Sequence, residues 1–221
     1  MLIALMVSAS LVSTAPAQPG PDARSVPLDA VFPFWTEFQS LEPTERDLIA
    51  LTYRLGLPPH PDGGTYGLWL QRDSRTFEPI EANALDLISP PDDAAFQDDL
   101  QIISDAPAGQ ASISFEVELN LELAESYDIE TLQAAIDQAQ AAVRRLAGWR
   151  AAIMPRIDTV MFIFDGAAPD AELIGSDRDN RSLEEVVFDR VYLEPGQRRI
   201  RNYDRVEFGE KPVRVVLTAE G

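Results

Sequence analysis

The sequence predicts an α+β fold: a mainly antiparallel sheet of roughly six to nine strands, one long amphipathic helix at about 128–147 packed across it, and a shorter N-terminal helix near Phe34. Three observations within 113–164 carry that prediction. First, Ile113, Phe115, Val117, Leu119, Leu121 and Leu123 alternate with Ser114, Glu116, Glu118, Asn120 and Glu122, the period of a strand with one buried and one wet face. Second, Ile129, Leu132, Ile136, Ala139, Val143 and Leu146 recur at steps of three and four, the stripe of a helix that covers such a face. Asp128 stands at its N-cap, Glu130 in its first turn, Arg144 and Arg145 in its last, and Gly148 just past its end. Third, the run Val160, Met161, Phe162, Ile163, Phe164 after Pro155 is too short for a helix and too apolar for a surface loop, which predicts a strand buried on both faces. Met161 and its phenylalanine neighbours are read as core rather than as the lining of a ligand pocket.

From the amino terminus, residues 2–12 are nearly all apolar and 13–17 are small, ending in Ala15, Pro16, Ala17 before Gln18. This is the pattern of a secretory signal peptide over 1–17, cleaved after Ala17, although Met1 to Ile3 supply no lysine or arginine. The apolar run is well short of the ~20 residues of a spanning helix. Pro19, Pro21 and Pro27 make 18–27 a flexible lead-in, so a single α+β domain is expected over 28–221. Phe32, Phe34, Trp35 and Phe38 crowd one short stretch, with Pro33 suited to the first turn of a helix. That cluster is read as core, with an exposed interface as the competing role.

Ile49, Leu51, Tyr53 and Leu55 alternate with Ala50, Thr52 and Arg54 and predict a strand, although Leu48, Ile49, Leu51 and Leu55 also fit a helical face. Pro58, Pro59, Pro61, Gly63 and Gly64 enforce a loop that holds the only histidine, His60, read as solvated rather than as a proton shuttle. A hairpin series follows, with a strand around Tyr66, Leu68 and Leu70, a turn at 72–75 and one or two strands over 77–87. Asp92, Asp93, Asp98 and Asp99 lack the spacing of a cation loop and are expected to cap a one-turn helix. A strand over 100–104 and a turn over 107–110 lead into the long alternating strand.

Beyond Phe164, Asp165 and Gly166 form a turn. A calcium-loop alignment starting at Asp177 fails at Arg181, Ser182 and Phe188, which leaves a hairpin loop there. Strands are expected at Val186, Val187, Phe188, then Val191 and Tyr192, and finally at Val213, Val215 and Leu217.

Composition narrows the function classes. The chain of 221 residues has no cysteine, which excludes disulfides, thiolate metal sites and cysteine nucleophiles. A formal charge of −19 argues against nucleic acid and anionic membrane surfaces as partners. There is no Gly-x-Ser-x-Gly elbow, phosphate loop or His-Glu-x-x-His, and one histidine cannot build a multi-histidine metal centre. Neither a cofactor nor a metal site is expected. A carboxylate pair remains open, because its geometry leaves no local signature. Arg198, Arg199, Arg201 and Arg205 form the one basic cluster, a candidate ligand- or partner-binding site unless they pair with the protein's own carboxylates.

The order of features, from an export signal through an aromatic-rich segment and a strand series to the long strand, the YDIETLQAAIDQ helix and the MFIF strand, resembles bacterial periplasmic proteins grouped only as a domain of unknown function. That resemblance implies no functional residue. Export combined with the missing catalytic constellations leads to the expectation of a periplasmic, non-enzymatic binding or interaction module, with an unknown protein or small-molecule partner in the cell envelope and no stable membrane span. The alternatives are an envelope hydrolase using a carboxylate pair and an assembly or chaperone factor with an apolar groove.

Overall fold

The computed structural model describes residues 18–20, 23–61, 66–98, 100–148, 155–176, 179–183 and 186–219; the expected signal peptide over 1–17 lies outside them. In chain order come β1 (Arg24–Pro27), α1 (Leu28–Val31), α2 (Trp35–Gln39), a 3₁₀ turn (Pro43–Glu45) and β2 (Ile49–Gly56). Next are β3 (Leu68–Gln71), β4 (Phe77–Pro79), β5 (Leu87–Ile88), α3 (Asp93–Gln97), β6 (Gln101–Ser104) and β7 (Ser112–Leu119). The second half holds β8 (Ser126–Asp128), α4 (Ile129–Ala147), β9 (Ile157–Ile163), β10 (Ala171–Ile174), β11 (Arg181–Ser182) and β12 (Val186–Val187), then β13 (Arg190–Leu193), β14 (Arg205–Phe208) and β15 (Arg214–Ala219).

The fold is α+β, with every described strand pair antiparallel. A seven-stranded sheet in the order β12-β13-β9-β15-β7-β2-β5 is flanked by two four-stranded sheets, β1-β6-β3-β4 and β11-β10-β14-β8. The long alternating strand becomes β7, paired with β2 along its whole length from Ser112 opposite Gly56 to Leu119 opposite Ile49. Strand wins over helix for 49–56 because this ladder fixes the period of two on both partners.

Helix α4 buries Ile129, Leu132, Ala135, Ile136, Ala139 and Ala142, which share one core with Val117, Leu119, Val160 and Phe162. Polar side chains fix its position over β2. Gln138 accepts from the Leu48 N–H at 2.9 Å and donates to the Thr44 carbonyl at 3.1 Å and to Asp47 Oδ1 at 2.6 Å. Arg145 clasps both oxygens of Glu45 at 2.5 and 2.6 Å. Asp128 occupies the N-cap position, but its side chain makes no capping bond there; the first helical N–H, of Ile129, donates to the Asp204 carbonyl at 2.9 Å.

Several expectations are corrected. The lead-in over 18–27 is shorter than expected, because Arg24–Pro27 pairs with Gln101–Ser104 as an edge strand. The alternating strand stops at Leu119 rather than at Leu123: the Asn120 N–H and side chain turn to the Leu48 and Asp47 carbonyls, and Leu121 is exposed. The residues over 77–87 do not form one hairpin series, since β4 pairs with β3 while β5 joins β2 in the other sheet. The helix near Phe34 is two helices, and Pro33 lies in the break between them. Asp92 does cap α3, its carboxylate accepting from the Ala95 N–H at 2.9 Å.

Candidate functional site

The break between α1 and α2 builds the candidate site. Phe32 leaves α1 with φ −120° and ψ 65°, outside the helical region, which suits a residue preceding proline. Phe34 then takes the left-handed conformation, φ 66° and ψ 2°, a geometry that costs a non-glycine residue roughly 1–2 kcal/mol. The surroundings hold it there. The Tyr53 hydroxyl donates to the Pro33 carbonyl at 2.8 Å, and the Phe34 ring packs edge-on against Phe115 with centroids 5.3 Å apart. Phe32 stacks edge-on to Tyr53 at 5.1 Å and to Phe96 at 6.3 Å. Burial pushes the Tyr53 phenol well above its ordinary value, and the nearby Glu37 carboxylate pushes it further.

This bend turns the Phe34 ring towards a small pocket of about 30 Å³ between α2, β2, β7 and the C-terminal half of α4. Its walls are Phe34 and Phe38, Ile49 and Leu51, Phe115 and Val117, and from the helix Ala139, Ala142, Val143, Leu146 and Ala147. Every lining side chain is apolar. The space exists because α4 presents two buried alanines, Ala139 and Ala142, where the preceding turn presents Ile136. Val143 and Leu146, expected in the buried stripe, are only half-buried because they face this pocket.

On the other side of Phe34 lies an open cleft of about 550 Å³ lined by Pro27, Leu28, Asp29, Phe32, Pro33, Thr36, Glu37, Phe96, Leu100 and Gln101. Phe34 lines both spaces.

The arginine cluster is placed differently. Arg198, Arg199 and Arg201 are exposed on the turn before β14, a turn anchored by the buried Ile200. Arg199 is engaged by Gln197 Oε1 at 2.6 Å, and Arg205 pairs with Glu207 at 2.6 Å. Arg205 is thus engaged by one of the protein's own carboxylates.

Two carboxylates, Glu116 and Glu118, share the face of β7 turned away from α4. Both accept from Arg214, which is 5% exposed: Glu116 at 2.5 Å, and Glu118 from two guanidinium nitrogens, Nε at 2.7 Å. Burial lowers the Arg214 pKa, but the hydrogen bonds it donates to Glu116 and Glu118 outweigh that and hold the guanidinium above its ordinary value. Both carboxylates are thus committed to one guanidinium, an arrangement that stabilises a strand pairing and offers no proton donor.

Met161 and the phenylalanines of β9 line neither space. Phe162 and Phe164 are buried in the core, and Met161 points to the opposite face. His60 packs its ring against Tyr66 at 4.7 Å. Trp69 is buried and Trp35 half-buried. Among the described residues, no group of three acidic or histidine side chains is placed to hold a metal ion, and no helix is long and apolar enough to cross a membrane. No protein-family model, curated protein or solved structure matches the chain.

Sequence reasoning placed Phe34 and Phe38 in the core and did not single out the alanines. The signal was the pair Ala139 and Ala142 on the apolar stripe of a helix, opposite strands rich in large residues.

Proposed function

We propose that this is an exported, non-enzymatic binding protein of the bacterial cell envelope that holds a small ligand in the open cleft beside Phe34. The observation that carries the reading is the open cleft of about 550 Å³ on the α1 side of Phe34. That volume falls within the range of about 300–1,000 Å³ typical of small-ligand sites. Its wall sets the apolar Leu28, Phe32, Phe96 and Leu100 beside the polar Asp29, Thr36, Glu37 and Gln101, the mixture of a site that buries part of a small ligand and orients the rest. Export over 1–17 places the protein in the periplasm in this reading. The commitment of Glu116 and Glu118 to Arg214 weighs against the hydrolase alternative.

The test uses a neutral apolar dye, N-phenyl-1-naphthylamine, with two cleft-filling variants, Thr36→Trp and Leu100→Trp. The expected result is saturable dye fluorescence with the wild-type protein and at least tenfold weaker binding in the variants, with thermal melting still cooperative. Dye binding that is missing, or unchanged in both folded variants, overturns the reading.

A further inference from the structure

We propose that two copies of this chain associate through the face of the seven-stranded sheet that is turned away from α4. Residues 160–164 form an unbroken apolar run, the pattern of a strand buried on both faces. The chain itself covers one of those faces: Val160, Phe162 and Phe164 join the core, whereas Met161 and Ile163 face the other way and are half-buried. The ladder extends that second face sideways. Met161 stands in one row with Tyr192 on β13 and Val216 on β15; Ile163 stands in the next with Arg190, Arg214 and, on the edge strand β12, Val187. Among the described residues, the core takes in none of Tyr192, Met161, Ile163 and Val216. An antiparallel sheet with one wet face carries polar side chains there, yet here an apolar row crosses three neighbouring strands. The apolar surface continues to the edge. Val187 is 50% exposed, and the turn beside it presents Phe188 at 88% exposure and φ 54°, its carbonyl accepting from the Ala168 N–H at 2.8 Å.

Charge selects a second copy as the occupant. Two chains of −19 repel each other, so they meet only where the facing carboxylates are already matched. Beside the apolar row, Glu116 and Glu118 both accept from Arg214, and Arg54 lies 3.6 Å from Glu116. Two acids therefore face two guanidiniums, and a second copy of the same face adds no unmatched charge. A basic partner would be drawn instead to the acidic remainder of the surface. Two such faces stack about 10 Å apart, as the sheets of a β-sandwich do, in an isologous contact. Six strands about 4.8 Å apart and about six residues long make a footprint of roughly 500 Å² per copy, near the ~1,000 Å² total at which a specific interface begins. The residues that line the cleft lie on other elements, so the dimer stands apart from ligand binding.

Sedimentation equilibrium of the purified protein tests it. The expected result is a monomer–dimer equilibrium with a dissociation constant of about 10–100 µM, weak as a face of this size implies, and tighter at high salt because salt screens the like net charges. Met161→Glu sets an unmatched carboxylate in the apolar row and is expected to weaken the dimer by about tenfold or more. Val187→Glu is expected to act in the same direction from a position already half in water, where folding is not at stake. Ala134→Glu makes the same charge change on the exposed side of α4 and leaves the dimer unchanged. Cooperative thermal melting checks that each variant is folded. A wild-type protein that stays monomeric up to about 1 mM overturns the proposal. So does a dimer that neither Met161→Glu nor Val187→Glu weakens, or one that Ala134→Glu weakens equally.

Discussion

The Tyr53 hydroxyl donates to the Pro33 carbonyl across 2.8 Å, so a fully buried side chain on β2 holds the peptide that precedes left-handed Phe34. The bond lies between segments twenty residues apart and fixes the bend on which both chambers depend. Tyr53→Phe is expected to lower stability by about 1 kcal/mol at neutral pH, because it leaves the carbonyl without its donor. Urea unfolding followed by circular dichroism measures it. The same variant tests an alkaline effect. Burial raises the Tyr53 phenol in the folded state, so its contribution is fully present below the ordinary phenol value of about 10 and is lost as pH rises above it. The wild-type melting temperature should fall more steeply than that of Tyr53→Phe between about pH 9 and 11.

Arg214→Met is expected to destabilise by roughly 2–3 kcal/mol, since it strands two partly buried carboxylates of like charge on adjacent positions of one face. The triple variant Glu116→Gln/Glu118→Gln/Arg214→Met should recover most of that loss, because no charge is then left without its partner. Chemical denaturation of the three proteins decides it; a triple variant as unstable as the single one would mean that Arg214 acts through packing rather than charge.

The fold was legible where a period persists through enough residues. Helix α4 and strands β2 and β7 were each read from their spacing, since a stripe of six apolar positions or a run of alternations has few other solutions, and β9 from an unbroken apolar run too short for a helix. The short strands at the margins were not, because Ser126–Asp128 or Arg181–Ser182 carry no period of their own and are strands only through their distant partners. Pro33 pointed to a helix start, yet the chain bends there. Nothing local predicts a left-handed phenylalanine; Tyr53 and Phe115, both brought in by β-pairing, impose it. The pocket was illegible for the same reason, being a deficit of volume among four segments rather than a motif. Nothing in the sequence singles out Arg214, and only the ladder sets it beside β7.

Gly67→Ala tests the close approach of Trp69. A methyl group at residue 67 would lie 2.0 Å from the indole Cη2, so the buried ring must move. The expected loss is about 1–3 kcal/mol, as for other overpacked sites, together with a red shift in tryptophan emission as the ring gains water. Unchanged emission and stability would show that the ring has room to yield.

Asp204 gathers three elements. Its carboxylate accepts from the Ser176 hydroxyl and, at 2.7 Å, from the Ser176 N–H, its N–H donates to the Ile174 carbonyl, and its own carbonyl accepts from Ile129 at the start of α4. The Ser176 hydroxyl first, and the Ser176 backbone second, hold the carboxyl below its usual range. Its contribution is therefore present above the ordinary aspartate value near pH 4 and is lost as pH falls through the lowered one. Asp204→Asn should melt below wild type at pH 6, and the gap should close on acidification below about pH 3. A constant gap across that range would assign the effect to geometry alone.

Phe34 also constrains which sequences can encode this arrangement. A glycine at that position would accept φ 66° without strain, yet it would remove the ring and merge the two spaces; a β-branched residue would resist the backbone angle and fill less of the gap. The position is therefore under two opposed demands, one from the main chain and one from the side chain. A saturation library at residue 34 would resolve them as two separate rankings, one by thermal stability and one by ligand retention, and large aromatic residues should lead only the second.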